Sequence, residues 1–150
     1  MGNSYEDLEV WQLAVTLVTE IYSATRQFPR DELYALTSQL RRAAISVPSN
    51  IAEGQGRLSP KEFRQFLGHA RGSLMEIETQ LVIAANLGYL DRERLGRLSG
   101  MCKRVSQMLY RLLQAISDTP LPAQCQHDAE TKNEKPPAAN VERGTRNVER

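Results

Sequence analysis

Two cysteines, Cys102 and Cys125, are all that 150 residues contain, and their spacing forms no metal-ligand or redox motif. A disulfide framework is therefore excluded as the source of the fold, and the simplest reading is reduced thiols in a cytoplasmic protein. Aromatic residues are scarce, at 6%. No apolar run reaches the roughly 18 uninterrupted residues of a membrane helix. The start, "MGNSYEDLEVW", lacks the basic region and apolar stretch of a secretory signal. No charge sign dominates: 19 Lys+Arg against 18 Asp+Glu leave a net charge of +1. Gross charge thus does not advertise a nucleic-acid protein, although its distribution can still matter. Gly-rich phosphate loops and nucleophile elbows are missing as well. What is present is an ordinary soluble composition, 41% hydrophobic and 25% charged, at single-domain length.

The composition changes near residue 118. Residues 1–117 carry a net charge of +2, with 14 Lys+Arg and 12 Asp+Glu, and residues 118–150 a net charge of −1. The second segment holds four of the seven prolines and almost no large apolar residues. It cannot bury enough surface to offset its ordering entropy, so a disordered tail is expected over 118–150. Its end repeats "NVERGTR" as "NVER", a period of seven. Val141 and Val148 are too few apolar positions for a coiled-coil seam.

Four segments of residues 1–117 read as helices. The first, 6–27, carries Leu8, Trp11, Val15, Val18 and Tyr22 at 3-4 spacing, with Ser4 as N-cap. From Leu8 to Ala24, 11 of 17 residues are apolar. A helix apolar on nearly all sides must be covered on more than one, which suggests a second subunit. The second helix, 32–55, has Asp31 as cap and Leu33, Leu36, Leu40, Ala44, Val47 and Ile51 as its inward line. Pro48 removes one backbone hydrogen bond and crowds the carbonyl of Ala44, so a kink near 44–48 is expected. Gly54 and Gly56 read as a stop, and Ser59-Pro60 as a start with Glu62 closing a capping box. The third helix, 60–87, has the seam Phe63, Phe66, Leu67, Ala70, Leu74, Ile77, Leu81 and Ala84, and Gly88 ends it. Asp91 caps the fourth, 92–117, whose Leu95, Leu98, Cys102, Val105, Leu109, Leu112 and Ile116 keep a strict rhythm. Long helices with short connections make an all-α, up-down antiparallel four-helix bundle over 1–117.

"YEDLEVWQLA", "LTSQLRRAAISVPSNIAEGQGR" and "FLGHARGSLMEIETQL" occur in that order. They resemble the small four-helix-bundle proteins encoded by intervening sequences of large-subunit ribosomal RNA genes, often labelled S23-like. The resemblance covers about residues 5–117. That family is similar in fold to the accessory variability protein of diversity-generating retroelements, a pentameric barrel that binds a reverse transcriptase and nucleic acid. The resemblance implies a homo-oligomer, a pentameric ring in the closest analogy, acting beside RNA or an RNA-handling enzyme such as a reverse transcriptase. One position departs from the family, which usually has an apolar residue where this chain has His69.

Candidate sites follow from charge and spacing. Arg97, Arg104 and Arg111 recur every seven residues along about 21 Å of the fourth helix, with Arg94 and Lys103 nearby. Such a line can make weak, salt-sensitive phosphate contacts. A solvated helix face in an Arg-rich proteome explains it equally, and no aromatic residues interleave the line. On the second helix, Gln39, Arg42, Ser46, Asn50, Glu53 and Arg57 form a polar line around the small residues that flank Pro48. Together with Trp11, the residues Arg42, Pro48, Asn50, Glu53 and Arg57 are the expected interface, with close packing as the first role of the proline stretch. "RQFLGH" places Arg64 and His69 in an R-x-x-x-x-H pattern that resembles HEPN-type ribonucleases, but two fixed residues recur by chance. Glu62, His69 and Glu76 are spaced too far apart for a shared ion, at about 10 Å of rise per seven residues. The expectation is a non-enzymatic oligomeric accessory protein without cofactor, metal or membrane contact. A HEPN-like ribonuclease and a purely structural oligomer remain the alternatives.

Overall fold

The computed structural model describes residues 4–117. The tail expected over 118–150, with Cys125 and His127, lies outside the described residues.

The chain opens with a 3-10 turn, Tyr5–Asp7, before α1 at Glu9–Thr25. Ser4 does cap, but it caps this turn: its Oγ accepts from the Glu6 amide at 3.4 Å, and its own amide donates to Asp7 Oδ2 at 3.1 Å. The expected helix from residue 6 is thereby shortened at both ends.

The inward line of α1 also differs from expectation. Val10, Ala14, Leu17, Ile21 and Ala24 are buried, whereas Val15 is 37% exposed and Leu8, Trp11, Val18 and Tyr22 are only partly covered. Both lines have 3-4 spacing, so periodicity cannot separate them. The line with alanines at 14 and 24 goes inward, since small residues let neighbouring helices approach.

A second 3-10 turn, Arg30–Glu32, precedes α2 at Leu36–Gln55. Asp31 therefore does not cap the helix. Glu32 does so instead, its Oε2 accepting the Leu36 amide at 3.1 Å, which satisfies one of the orphan donors of the first turn. Leu33 falls in the connection, 46% exposed, and drops out of the expected core. The helix continues through Pro48, whose ring is buried, as a single element to Gln55. Gly54 is likewise helical and buried, so it is not the stop its type suggests. The ending falls at Gly56, whose amide reaches back to the Ala52 carbonyl.

The remaining two helices follow expectation closely. Helix α3 spans Pro60–Asn86, with Ser59 Oγ accepting the Glu62 amide at 3.4 Å. It ends in a Schellman turn: Gly88 has φ +78°, and the amides of Gly88 and Tyr89 donate to the carbonyls of Ala85 and Ala84. Helix α4 spans Arg92–Ser117, and Asp91 Oδ1 accepts the Arg94 amide at 2.7 Å.

Each helix packs on two neighbours, α1 on α2 and α4, and α3 on α2 and α4. The α1/α2 and α3/α4 sides are therefore opposite sides of a four-cornered bundle. Leu17 and Ile21, Leu40 and Ile51, Leu74 and Ile77, and Val105 and Leu109 meet inside with under 2% exposure. Burying each such side chain contributes about 1.5–3 kcal/mol before the entropic cost of ordering it. Among the described residues there is no strand, and no helix is long and apolar enough to cross a membrane.

Candidate nucleic-acid and assembly interfaces

The five cations expected on α4 are not one surface. Arg94 and Arg97 turn toward α1 and the turn that follows it, where Arg94 Nη1 donates to Gln27 Oε1 at 2.9 Å and Arg97 Nη2 pairs with Glu20 Oε2 at 2.8 Å. Arg97 is largely solvated, so the second pair contributes no more than about 1 kcal/mol. Arg104 is exposed on the outer side of α4. Lys103, also exposed, projects about 100° around the helix from it. Arg111 lies near the other end, where it lines a groove of about 480 Å³ with Arg71 of α3 and with Ser106, Gln107, Tyr110 and Leu113. Neither Arg71 nor Tyr110 was among the residues expected from spacing. Arg71 is on another helix, and Tyr110 precedes Arg111 on a neighbouring face.

The expected interface residues divide in two. Arg42 lines a polar groove of about 660 Å³ between α2 and α3, with Gln39, Ala43, Ser46, Ser73, Glu76 and Gln80. Ser46 and Ser73 share a 2.8 Å hydrogen bond across it. Asn50 Nδ2 donates to Ser46 Oγ at 2.9 Å and to the Ser46 carbonyl at 2.8 Å. Glu53 pairs with Arg57 at 2.7 Å, and the Arg57 guanidinium stands 4.7 Å over the Phe66 ring. Asn50, Glu53 and Arg57 thus have partners within the same chain.

Trp11 and Pro48 belong to a different surface, between α1 and α2. Its lining of Tyr5, Trp11, Val15, Val18, Thr19, Ile45, Pro48, Ser49 and Ala52 encloses about 340 Å³ and carries no charge. Tyr5 packs edge-on against Trp11 with ring centres 5.3 Å apart. Ile45 is 43% exposed beside them. The line from Trp11 through Val15 to Val18 that the sequence pattern places in the core is in fact this outer face.

The model of the 23S rRNA-intervening sequence protein family matches residues 6–111. The chain belongs to that family. The match takes in α1, α2, α3 and most of α4, so the α2/α3 groove, all of the α1/α2 groove but Tyr5, and Arg71 and Arg111 lie within it. No curated protein matches the chain.

Outside these grooves, the remaining reactive side chains are isolated. Arg64 and His69 are both exposed on α3 and, five residues apart, project about 140° from each other. The His69 ring stands edge-on to Phe66, with centres 5.8 Å apart. Among the described residues, no three of the His, Cys, Asp and Glu side chains come together as a metal site would need. Cys102 is fully buried in the core. Burial, helped by the charge of Glu78, pushes its thiol up to about 12, so it stays protonated and unreactive.

Proposed function

We propose that the protein is a non-enzymatic accessory protein that self-associates through the α1/α2 face and contacts RNA with the cations of α4. The observation that carries this reading is the uncharged groove of Tyr5, Trp11, Val15, Val18, Ile45 and Pro48, left open on a helix that is apolar on almost all sides. Water against that surface is unfavourable, and a second copy, which carries the same uncharged surface, removes it from solvent on both partners at once. Assembly there keeps the opposite α3/α4 side, with Arg71, Lys103 and Arg111, facing outward. The family's intervening-sequence description fits an RNA-related role, and the cations of this side are what would meet RNA or an enzyme that handles it.

Light-scattering mass of the full chain tests the first half. The parent should exceed the 16.9 kDa protomer several-fold, and Val15→Glu with Ile45→Glu should return it to that mass with its helical spectrum intact. A parent that stays a protomer at high concentration would refute self-association. RNA binding across a salt series, with Lys103, Arg104 and Arg111 all changed to Glu as the control, tests the second half. Affinity should fall steeply with salt and vanish in the control. No binding even at low salt would leave a purely structural oligomer. RNA cleavage that is lost on His69→Ala would overturn the non-enzymatic reading.

A further inference from the structure

The grooves between neighbouring helices differ in a way that selects one of them. Between α1 and α4 the cations are already engaged, Arg97 by Glu20 and Arg94 by Gln27. Between α2 and α3, Arg42 shares its groove with Glu76, so an anion would meet both signs of charge. None of the described residues that line the α1/α2 groove is charged. Between α3 and α4, by contrast, two cations from different helices, Arg71 and Arg111, line one groove with Tyr110, and none of the described lining residues is acidic. Neither arginine forms an ion pair with a described carboxylate. Tyr110 is 61% exposed, so its ring faces solvent and not the core. Ser106 and Gln107 complete the lining with hydroxyl and amide groups that can both donate and accept.

We propose that the α3/α4 groove is a single-stranded RNA site, in which Tyr110 stacks on an unpaired base while Arg71 and Arg111 hold the flanking phosphates. This deepens the RNA reading above and rests on it. An exposed aromatic ring in a groove with two cations suits single strands, because every base offers a π-face and the guanidinium fork suits phosphate. A duplex keeps its bases stacked inward and offers the ring nothing, so the site discriminates strand state before sequence. At about 480 Å³ the groove falls within the roughly 300–1,000 Å³ of small-ligand sites, room for about one nucleotide. Contact with longer RNA then runs out of the groove toward Lys103 and Arg104 along α4.

Fluorescence anisotropy with a labelled oligo-uridine and with a blunt RNA duplex, using the full chain, tests this. The single strand should bind better than the duplex. Tyr110→Ala should weaken the single strand by roughly 5- to 150-fold while leaving duplex binding unchanged, and Tyr110→Phe should restore binding because the ring suffices. Arg71→Ala and Arg111→Ala should each flatten the logarithmic salt dependence by about 0.7. Far-UV circular dichroism on each variant establishes that the bundle is intact. If RNA binds but Tyr110→Ala and Arg71→Ala behave as the parent, the groove assignment fails and the broader RNA reading survives. If neither RNA binds at low salt, both fall together.

Discussion

Five glycines of this bundle sit inside helices yet should respond in opposite directions to the same added methyl group. A Cβ on Gly54 would lie 2.8 Å from Phe66 Cβ and 2.8 Å from Phe63 Cδ2. The Phe63 ring can swing aside. Phe66 Cβ is fixed to the backbone of α3, so Gly54→Ala must push α2 and α3 apart where they converge. Overpacking of this kind costs about 1–3 kcal/mol. Because Phe66 Cβ cannot move aside, the cost falls in the upper half of that range; alanine's better helix propensity offsets about 1 kcal/mol of it, leaving a net loss of about 1–2 kcal/mol. At Gly72 and Gly100 a Cβ meets nothing within 4 Å, so there the propensity gain stands alone, about 0.5–1 kcal/mol of stabilisation. Urea unfolding followed by far-UV circular dichroism would read all three. It should be run at one fixed protein concentration, because self-association adds a mass-action contribution. Gly54→Ala as stable as the parent would refute the close-approach argument. A loss at Gly72→Ala or Gly100→Ala would refute the reading that these positions have room for a methyl group.

Three further outcomes follow from single residues. Gly88 has φ +78°, so Gly88→Ala should lower stability by about 1–2 kcal/mol in the same urea assay, with no contact removed. Glu32 joins two connections, accepting the Leu36 amide through Oε2 and the Tyr89 hydroxyl, at 3.2 Å, through Oε1. Glu32→Ala should therefore cost about 1–2 kcal/mol and Tyr89→Phe clearly less, and the two losses should be less than additive in a double-mutant cycle. The Cys102 thiol is pushed from 9.0 up to about 12 by burial, so folding favours its protonated form. That contribution is fully present below pH 9 and is lost as pH rises toward 12. Tyr89, raised by desolvation and by its hydrogen bond to Glu32, adds a loss of the same sign at the alkaline end. Cys102→Ala should be less stable at neutral pH because of the cavity it leaves, yet lose less additional stability than the parent between pH 9 and 12. A thiol reagent on a Cys125→Ser background should modify Cys102 only at the rate of unfolding.

How much of this could be read from residues varies by helix. Helix α4 was legible almost entirely, because Leu98, Cys102, Val105 and Leu109 form one apolar stripe on an otherwise polar helix, and such a pattern has a single inward solution. In α1 the same rule fails. With apolar residues on nearly every side, Trp11–Val15–Val18 and Val10–Ala14–Leu17 are equally periodic, and only packing against α2 and α4 distinguishes them. Asp31 looked like a cap because its type suits one, but the chain makes a 3-10 turn there, and Glu32 reaches the amide instead. Residue type also misled at Gly54, which is required by an approaching helix and not by a turn.

The sequence by itself determined the number, order and approximate ends of the helices, and with short connections the up-down bundle. These are local matters, set by the 3.6-residue period, the caps at Ser59 and Asp91, and the left-handed glycine at 88. What lies across from what is not a local matter. Only the tertiary structure separated the basic residues of α4 into those engaged by α1 and those left outward. It alone placed Arg71 beside Tyr110 and Arg111, roughly forty residues further along the chain. It also turned Trp11, Val15 and Pro48 into one outer apolar surface. A residue's helix and face are written in its neighbours along the chain; its partners depend on how the helices pack, and burial and charge compensation are decided there.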